Sequence, residues 1–152
     1  MLETSLSGRL LITSRVIDAP RERVFAAFSD PDRLARWWGP KGFTNTFEEF
    51  DLRPGGRWRF VMHGPEGGHY PNESVFVDVV PGERLVLNHI SSPRFVMTIS
   101  LEEFGGKTKL GWRQVFVTAE ECDRVAKSAI EANEQNLDRL SALVAATAPP
   151  AE

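Results

Sequence analysis

The sequence predicts an α+β fold, a meander of antiparallel strands followed by one long C-terminal helix. Three observations carry this. Residues 43 to 116 divide into six stretches rich in β-branched and aromatic residues, several alternating between apolar and polar. The turns between them, "RPGG", "GPEGG", "PGE", "SSP" and "GG", are short, and turns of that length join antiparallel neighbours rather than parallel strands with crossovers. Finally Cys122, Val125, Ala126, Ala129, Leu137, Leu140 and Val144 follow helical spacing and form one apolar stripe.

The elements follow in order. "RLLITSRVID" is rich in aliphatic and β-branched residues and reads as a strand, expected to close one edge of the sheet. It stops at "DAP", where Asp18 is placed to cap the helix "PRERVFAAF" and Pro20 to sit in its first turn. "SDPDRLARWW" repeats the device, with Asp30 as cap and Pro31 at the first helical position, and Gly39-Pro40 ends it. "FTNTFEEFDL" changes parity between Phe47 and Phe50, which predicts a bulge near Glu48-Glu49. In "GGRWRFVMHG", Trp58, Phe60 and Met62 share one face, and Arg57, Arg59, Val61 and His63 the other. "YPNESVFVDVV", "RLVLNHI", "RFVMTISLEEF" and "KTKLGWRQVF" complete the meander. Thr118 and Glu121 form a capping box at the start of the last helix, and "TAPPAE" is a frayed tail. No repeat or linker interrupts the chain, so residues 1–152 read as one domain.

Composition narrows the partners. A net charge of −3 gives no basic field to attract nucleic acid or an anionic membrane. No apolar run approaches the ~18 residues that span a bilayer. The start "MLETSLSGRLLITSR" lacks the basic residues and cleavage site of a signal peptide, so a cytoplasmic setting is expected. A single cysteine, Cys122, rules out an internal disulfide and reads as a buried thiol at the head of the helix stripe. An exposed strand edge offers a route to a homodimer.

The stretches "IDAPRERVFAAFSDPDRLARWWGPKGF" and "DLRPGGRWRFVMHGPEGGHYPNESVFVDVVPGERL", with the final "LDRL", resemble the activator of heat-shock-protein-90 ATPase homologue 1-like family, over about residues 8–146. That family belongs to the START-like (SRPBCC) helix-grip superfamily. The resemblance implies a curved antiparallel sheet wrapped around the C-terminal helix, with a cavity between them. It also implies three functional readings. Related proteins bind lipids, sterols or aromatic polyketides; some are cyclases or hydrolases; eukaryotic relatives stimulate a chaperone ATPase.

A sheet wrapped around one helix has more inner face than the helix stripe can cover. Large inward residues then either fill the core or border a hollow. The candidate lining is Trp58, Phe60, Met62, Leu87, His89, Met97, Trp112, Gln114, Asn133 and Leu137. His89 shares a face with Leu85 and Leu87, and Gln114 is the one polar member of the face made by Leu110, Trp112 and Phe116. A buried amide needs a partner, most commonly a neighbouring backbone. His63 on the outer face, His69 in a glycine-rich turn and His89 inside cannot surround one ion, so no metal is expected, and no cofactor either. Glu48 and Glu49 point to opposite faces and cannot work as a pair. No nucleophile, base and orienting group converge, so no catalytic residue is assigned. The reading is a protein that binds a small apolar or aromatic molecule, with His89 and Gln114 orienting it. The alternatives are a polyketide-cyclase- or hydrolase-like enzyme using His89 as acid or base, and a chaperone-interaction module.

One departure from the family bears on the hollow. Relatives commonly carry Gly-Trp before the closing leucines of the helix, where this chain has Ala132-Asn133. Asn133 lies four residues after Ala129 and four before Leu137, on the inward stripe, with Asn136 close to it. The resemblance therefore implies a missing indole and a larger, more polar hollow.

Overall fold

The six stretches of the meander pair in chain order, as their short turns require. The structure, a computed structural model, describes residues 2–146, and for residues 2–7 the backbone alone. The meander strands are β3 (Thr44–Phe50), β4 (Arg57–His63), β5 (His69–Val80), β6 (Arg84–His89), β7 (Phe95–Phe104) and β8 (Lys107–Phe116). The "RLLITSRVID" strand is β2 (Leu10–Ile17), and it pairs antiparallel with β8, Leu11 opposite Gln114 and Thr13 opposite Trp112. It does not close the edge. An additional strand, β1 (Leu2–Ser7), folds back on β2 through a turn at Gly8, whose φ of 57° suits glycine. The sheet therefore runs β1-β2-β8-β7-β6-β5-β4-β3, with β1 and β3 at its edges.

The expected bulge is present, because the β3–β4 register shifts between Phe47 and Glu49. It returns Phe50 to the side of Phe47, and both pack on Trp58, with ring centroids at 5.9 and 5.5 Å. A second shift, between Phe76 and Asp78, lies in β5.

Two short helices follow β2, α1 (Arg21–Ser29) and α2 (Pro31–Trp37). The Asp30 carboxylate accepts from the Asp32 amide at 3.0 Å, with Pro31 at the first helical position, as its sequence predicts. Asp18 does not cap α1. Pro20 occupies that position, and no side-chain cap bond forms. Proline has the extended φ the position needs but offers no oxygen.

The long helix is α3 (Ala119–Ala146), and residues 147–152, the predicted tail, lie outside the described residues. Thr118 opens α3 by accepting from the Glu121 amide at 3.1 Å. The Glu121 carboxylate accepts from the Thr118 hydroxyl (2.9 Å) and from Arg94 Nε and Nη2 (3.0 Å each), so the box is bolted to the residue that leads into β7. The inward stripe of α3 buries Cys122, Ala126, Asn133, Asn136, Leu137, Leu140 and Val144. With Leu140, Leu137 belongs to a fully buried core that also holds Val24, Phe28, Leu34, Trp37 and Leu110. Trp37 is fixed there by its Nε1–H donating to Ala27 O at 2.9 Å. Among the described residues, no helix is long and apolar enough to cross a membrane.

Candidate functional site

The middle of α3 leaves the sheet uncovered. Opposite the aromatic face of β4 and β8 it presents Ala129, Ala132, Asn133 and Asn136, whose short side chains do not fill the gap. The result is a cavity of about 250 Å³ between sheet and helix. Trp58, Phe60 and Met62 of β4, Asn72 and Ser74 of β5, Leu87 and His89 of β6 line it, with Phe95, Met97, Trp112 and Gln114 from β7 and β8. Trp38, Gly39 and Pro40 after α2, and Pro93 before β7, complete the wall. Large side chains thus serve both purposes: Trp58 and Phe60 are 2% exposed, stacked on each other at 4.5 Å, and still border the hollow.

Nine of the ten residues singled out in the sequence sit on this wall, and Leu137 does not. It faces inward one turn further along α3, where the helix has closed on the core. The candidate lining left out Trp38, which stacks on Trp112 (5.3 Å) and meets Trp58 edge-on (4.9 Å). It also missed Asn72 and Ser74, whose signal was available: they lie four and two residues before the buried Phe76, on the same strand face.

His89 closes one end and stacks on Phe95 at 4.5 Å. Its Nδ1 lies 2.7 Å from Pro93 O, which can only accept, so Nδ1 carries the proton. Its Nε2 lies 2.8 Å from Asn72 Oδ1, an oxygen fixed in place because Asn72 Nδ2 donates to Tyr70 O. That contact is a hydrogen bond only when the ring takes a second proton. Burial opposes the second proton and lowers the pKa, against the pull of the Pro93 and Ser91 backbone. In the neutral ring that burial favours, Nδ1 is committed to Pro93 O, and Nε2 is an acceptor with the Ser91 hydroxyl 3.4 Å away.

Gln114 finds its partner on the helix rather than on a neighbouring backbone: Asn133 Nδ2 donates to its Oε1 at 2.8 Å. Asn136 Oδ1 accepts from the Gly39 amide at 3.0 Å. Among the described residues, Trp58 Nε1, Trp112 Nε1 and Ser74 Oγ are buried without a hydrogen-bond partner, and all three residues line the cavity. Its wall has polar atoms but no Asp, Glu, Lys or Arg.

The segment over the cavity is strapped to α3. Arg139 donates to the carbonyls of Arg36 (2.7 Å), Gly39 (2.9 Å), Pro40 (2.9 Å) and Phe43 (3.0 Å), and Gln135 Oε1 accepts from Lys41 N at 3.1 Å. Gly39 has φ of +100°, a backbone conformation that favours glycine, and it lies close under the Met62 methyl. Pro40 and Pro93 border the cavity and two outer grooves. One groove runs along Val125, Ser128 and Ala132, and the other along Phe43, Tyr70 and Pro71.

The remaining candidates lie elsewhere. His69 opens β5 instead of sitting in the turn, directly across from His63, and their Nδ1 atoms approach to 2.7 Å on the outer face. Arg57 and Arg59 pair with Glu73 and Glu49 on the same outer face. Cys122 is fully buried, and that burial raises its pKa.

A curved antiparallel sheet gripping one long helix, with a cavity between them, defines a START-like helix-grip protein. Within that class, the chain belongs to the Activator of Hsp90 ATPase homolog 1-like protein family, whose pattern matches residues 18–145. No curated protein matches it. Among solved structures, it is similar to a Rhodobacter sphaeroides protein at 27% identity and TM-score 0.86, covering 97% of this chain and 100% of that one. A Chromobacterium violaceum protein is 29% identical at TM-score 0.81, with 88% and 96% covered. A Mycobacterium smegmatis protein is 25% identical at TM-score 0.85, with 97% and 98% covered.

Proposed function

We propose that this protein binds one small aromatic or otherwise apolar molecule in the cavity between sheet and α3. The observation that carries the reading is the wall itself: Trp38, Trp58, Phe60, Phe95, Met97 and Trp112 around a space of about 250 Å³, with a few polar groups among them. Sites for apolar ligands have this composition, and the volume lies just below the ~300–1,000 Å³ of drug-sized sites, which calls for a small occupant. Binding is favoured over cyclase or hydrolase chemistry because His89, the titratable group on the wall, has Nδ1 held by Pro93 O and has no Asp, Glu, Lys or Arg on the wall to act with it. In this reading His89 shapes one end of the site, and Gln114 with Asn133 orients the molecule. The protein works in the cytoplasm and takes its ligand without nucleic acid or membrane as partner. The family's name describes a chaperone activator, and that alternative rests on the name rather than on a contact among the described residues.

The test is titration with N-phenyl-1-naphthylamine, a neutral probe that fluoresces in apolar surroundings. Saturable enhancement with one probe per chain is the expected result. No enhancement, or enhancement that Phe60→Ala and Met97→Ala both leave untouched in folded protein, would reject the cavity as the binding site.

A further inference from the structure

Four carboxamides reach the cavity: Asn72 on β5, which is engaged by Tyr70 O and His89, and three others, Gln114 on β8 and Asn133 and Asn136 on α3. These last three are buried, 5–6% exposed. The orientation of Asn136 is set by a backbone group. The Gly39 N–H can only donate, so Oδ1 takes that bond and Nδ2 is left as a donor. The Gln114–Asn133 pair is closed on one side only. Whichever amide donates within the pair, the two outer ends are one NH₂ and one C=O. Among the described residues none of these three outer groups has a protein partner. None of the three is among the unpartnered atoms sealed from solvent, so they are open to the cavity, where an occupant that answers both a donor and an acceptor takes the place of water.

The rest of the wall limits its charge. With no Lys or Arg on the lining, an anion would lose its hydration without gaining a counter-charge, and with no Asp or Glu the same holds for a cation. Building on the binding role proposed above, we infer that the occupant is a neutral planar molecule with an adjacent acceptor and donor on one edge. A lactam or a hydroxy-carbonyl has such an edge. Gln114, Asn133 and Asn136 read the edge, and Trp38, Trp58 and Phe60 cover the faces of the ring system. A plain hydrocarbon would leave the amides bare, and a carboxylate would set its charge against an amide oxygen.

Four bicyclic probes, each smaller than the reporter they displace, test this by displacement of N-phenyl-1-naphthylamine: naphthalene, quinoline, 2-quinolinone and 2-naphthoate. The expected order is 2-quinolinone at least tenfold tighter than naphthalene, quinoline between them, and 2-naphthoate weakest. In Gln114→Leu/Asn133→Leu, a near-isosteric apolar pair, the advantage of 2-quinolinone over naphthalene falls below threefold. Should that variant not fold, the order of the four probes on the unaltered protein decides alone. Equal affinity for 2-quinolinone and naphthalene, or for 2-quinolinone and quinoline, would overturn the donor–acceptor edge and leave an apolar occupant standing. Tightest binding by 2-naphthoate would overturn neutrality. If N-phenyl-1-naphthylamine and all four probes fail to bind, the binding role falls, and this inference with it.

Discussion

Replacing Arg139 by Met keeps the aliphatic stem and deletes the guanidinium that straps the cavity's cover to α3. Four of its bonds are 3.0 Å or shorter, to Arg36 O, Gly39 O, Pro40 O and Phe43 O. The bond to Arg36 O is exposed, and water replaces it at little cost. The other three are partly buried, and at a net ~1 kcal/mol for each bond lost the variant is destabilised by about 3 kcal/mol. For a chain of this size that is a fall of roughly 6–12 °C in melting temperature, from ~2–4 °C per kcal/mol. Urea denaturation followed by tryptophan fluorescence measures it, with the midpoint lowered and the slope unchanged. Arg139→Lys, with a point charge and three donors in place of a planar fork, recovers only part of the loss. The strap also holds Trp38 and Pro40 against the cavity, so Arg139→Met releases a bound probe faster as well. A stability change below about 1 kcal/mol, which is less than the ~1 ± 0.5 kcal/mol per bond allows for three bonds, would refute the strap.

Other outcomes follow from the same contacts. The Arg94 side chain, with the Arg94 amide and the Thr118 hydroxyl, holds the Glu121 carboxyl at about 2. In the unfolded chain it titrates near ~4.3, so the unfolded state binds the proton first and stability falls as pH drops from about 5 to about 2. The melting-temperature gap between the protein and Glu121→Gln is therefore widest above pH 5 and closes near pH 2, and a constant gap would contradict it. Burial lowers the His89 pKa, so the unfolded state, titrating near ~6.5, again takes the proton first. Stability declines as pH falls below about 6.5, and His89→Gln flattens that slope; an equally steep variant would remove His89 as the cause. In Asn133→Trp the indole enters the cavity, gaining ~1.5–3 kcal/mol of burial against ~1–3 kcal/mol for the unpaired Gln114 oxygen. Its melting temperature stays within a few degrees while probe affinity drops at least fivefold. A large loss of stability with unchanged affinity would show that the indole has no room.

What the sequence made legible was local. Period-two alternation put Trp58, Phe60, Met62, Leu87, Met97, Trp112 and Gln114 on the inner face, and the parity change located the bulge at Phe47–Glu49. Asp30 and Thr118 were readable as caps because a cap acts within three residues. What escaped was set by partners distant in sequence. Asn133 meets Gln114 across 19 residues and Asn136 meets Gly39 across 97, so neither bond leaves a pattern in the chain. Leu137 and Asn133 lie four residues apart on one stripe, yet only Asn133 faces the hollow, because α3 packs into the core from Leu137 onwards and spans the gap in its middle. His69 sits beside Gly67-Gly68, which marks a turn, and pairing with His63 is what draws it into β5. β1 is too short and too weakly alternating to stand out, and it exists by virtue of the β2 edge it covers.

An apolar molecule in the space between sheet and helix would be read at the methionines. Of the three in the chain, Met62 and Met97 both line the cavity, from β4 and β7. With ¹³C-labelled methionine methyls and naphthalene added, both resonances are predicted to shift together along one saturating curve. Both should also show proton–proton nuclear Overhauser contacts to the naphthalene ring. If saturating naphthalene leaves both methyls unmoved in folded protein, or if it contacts neither of them, the cavity does not hold the ligand.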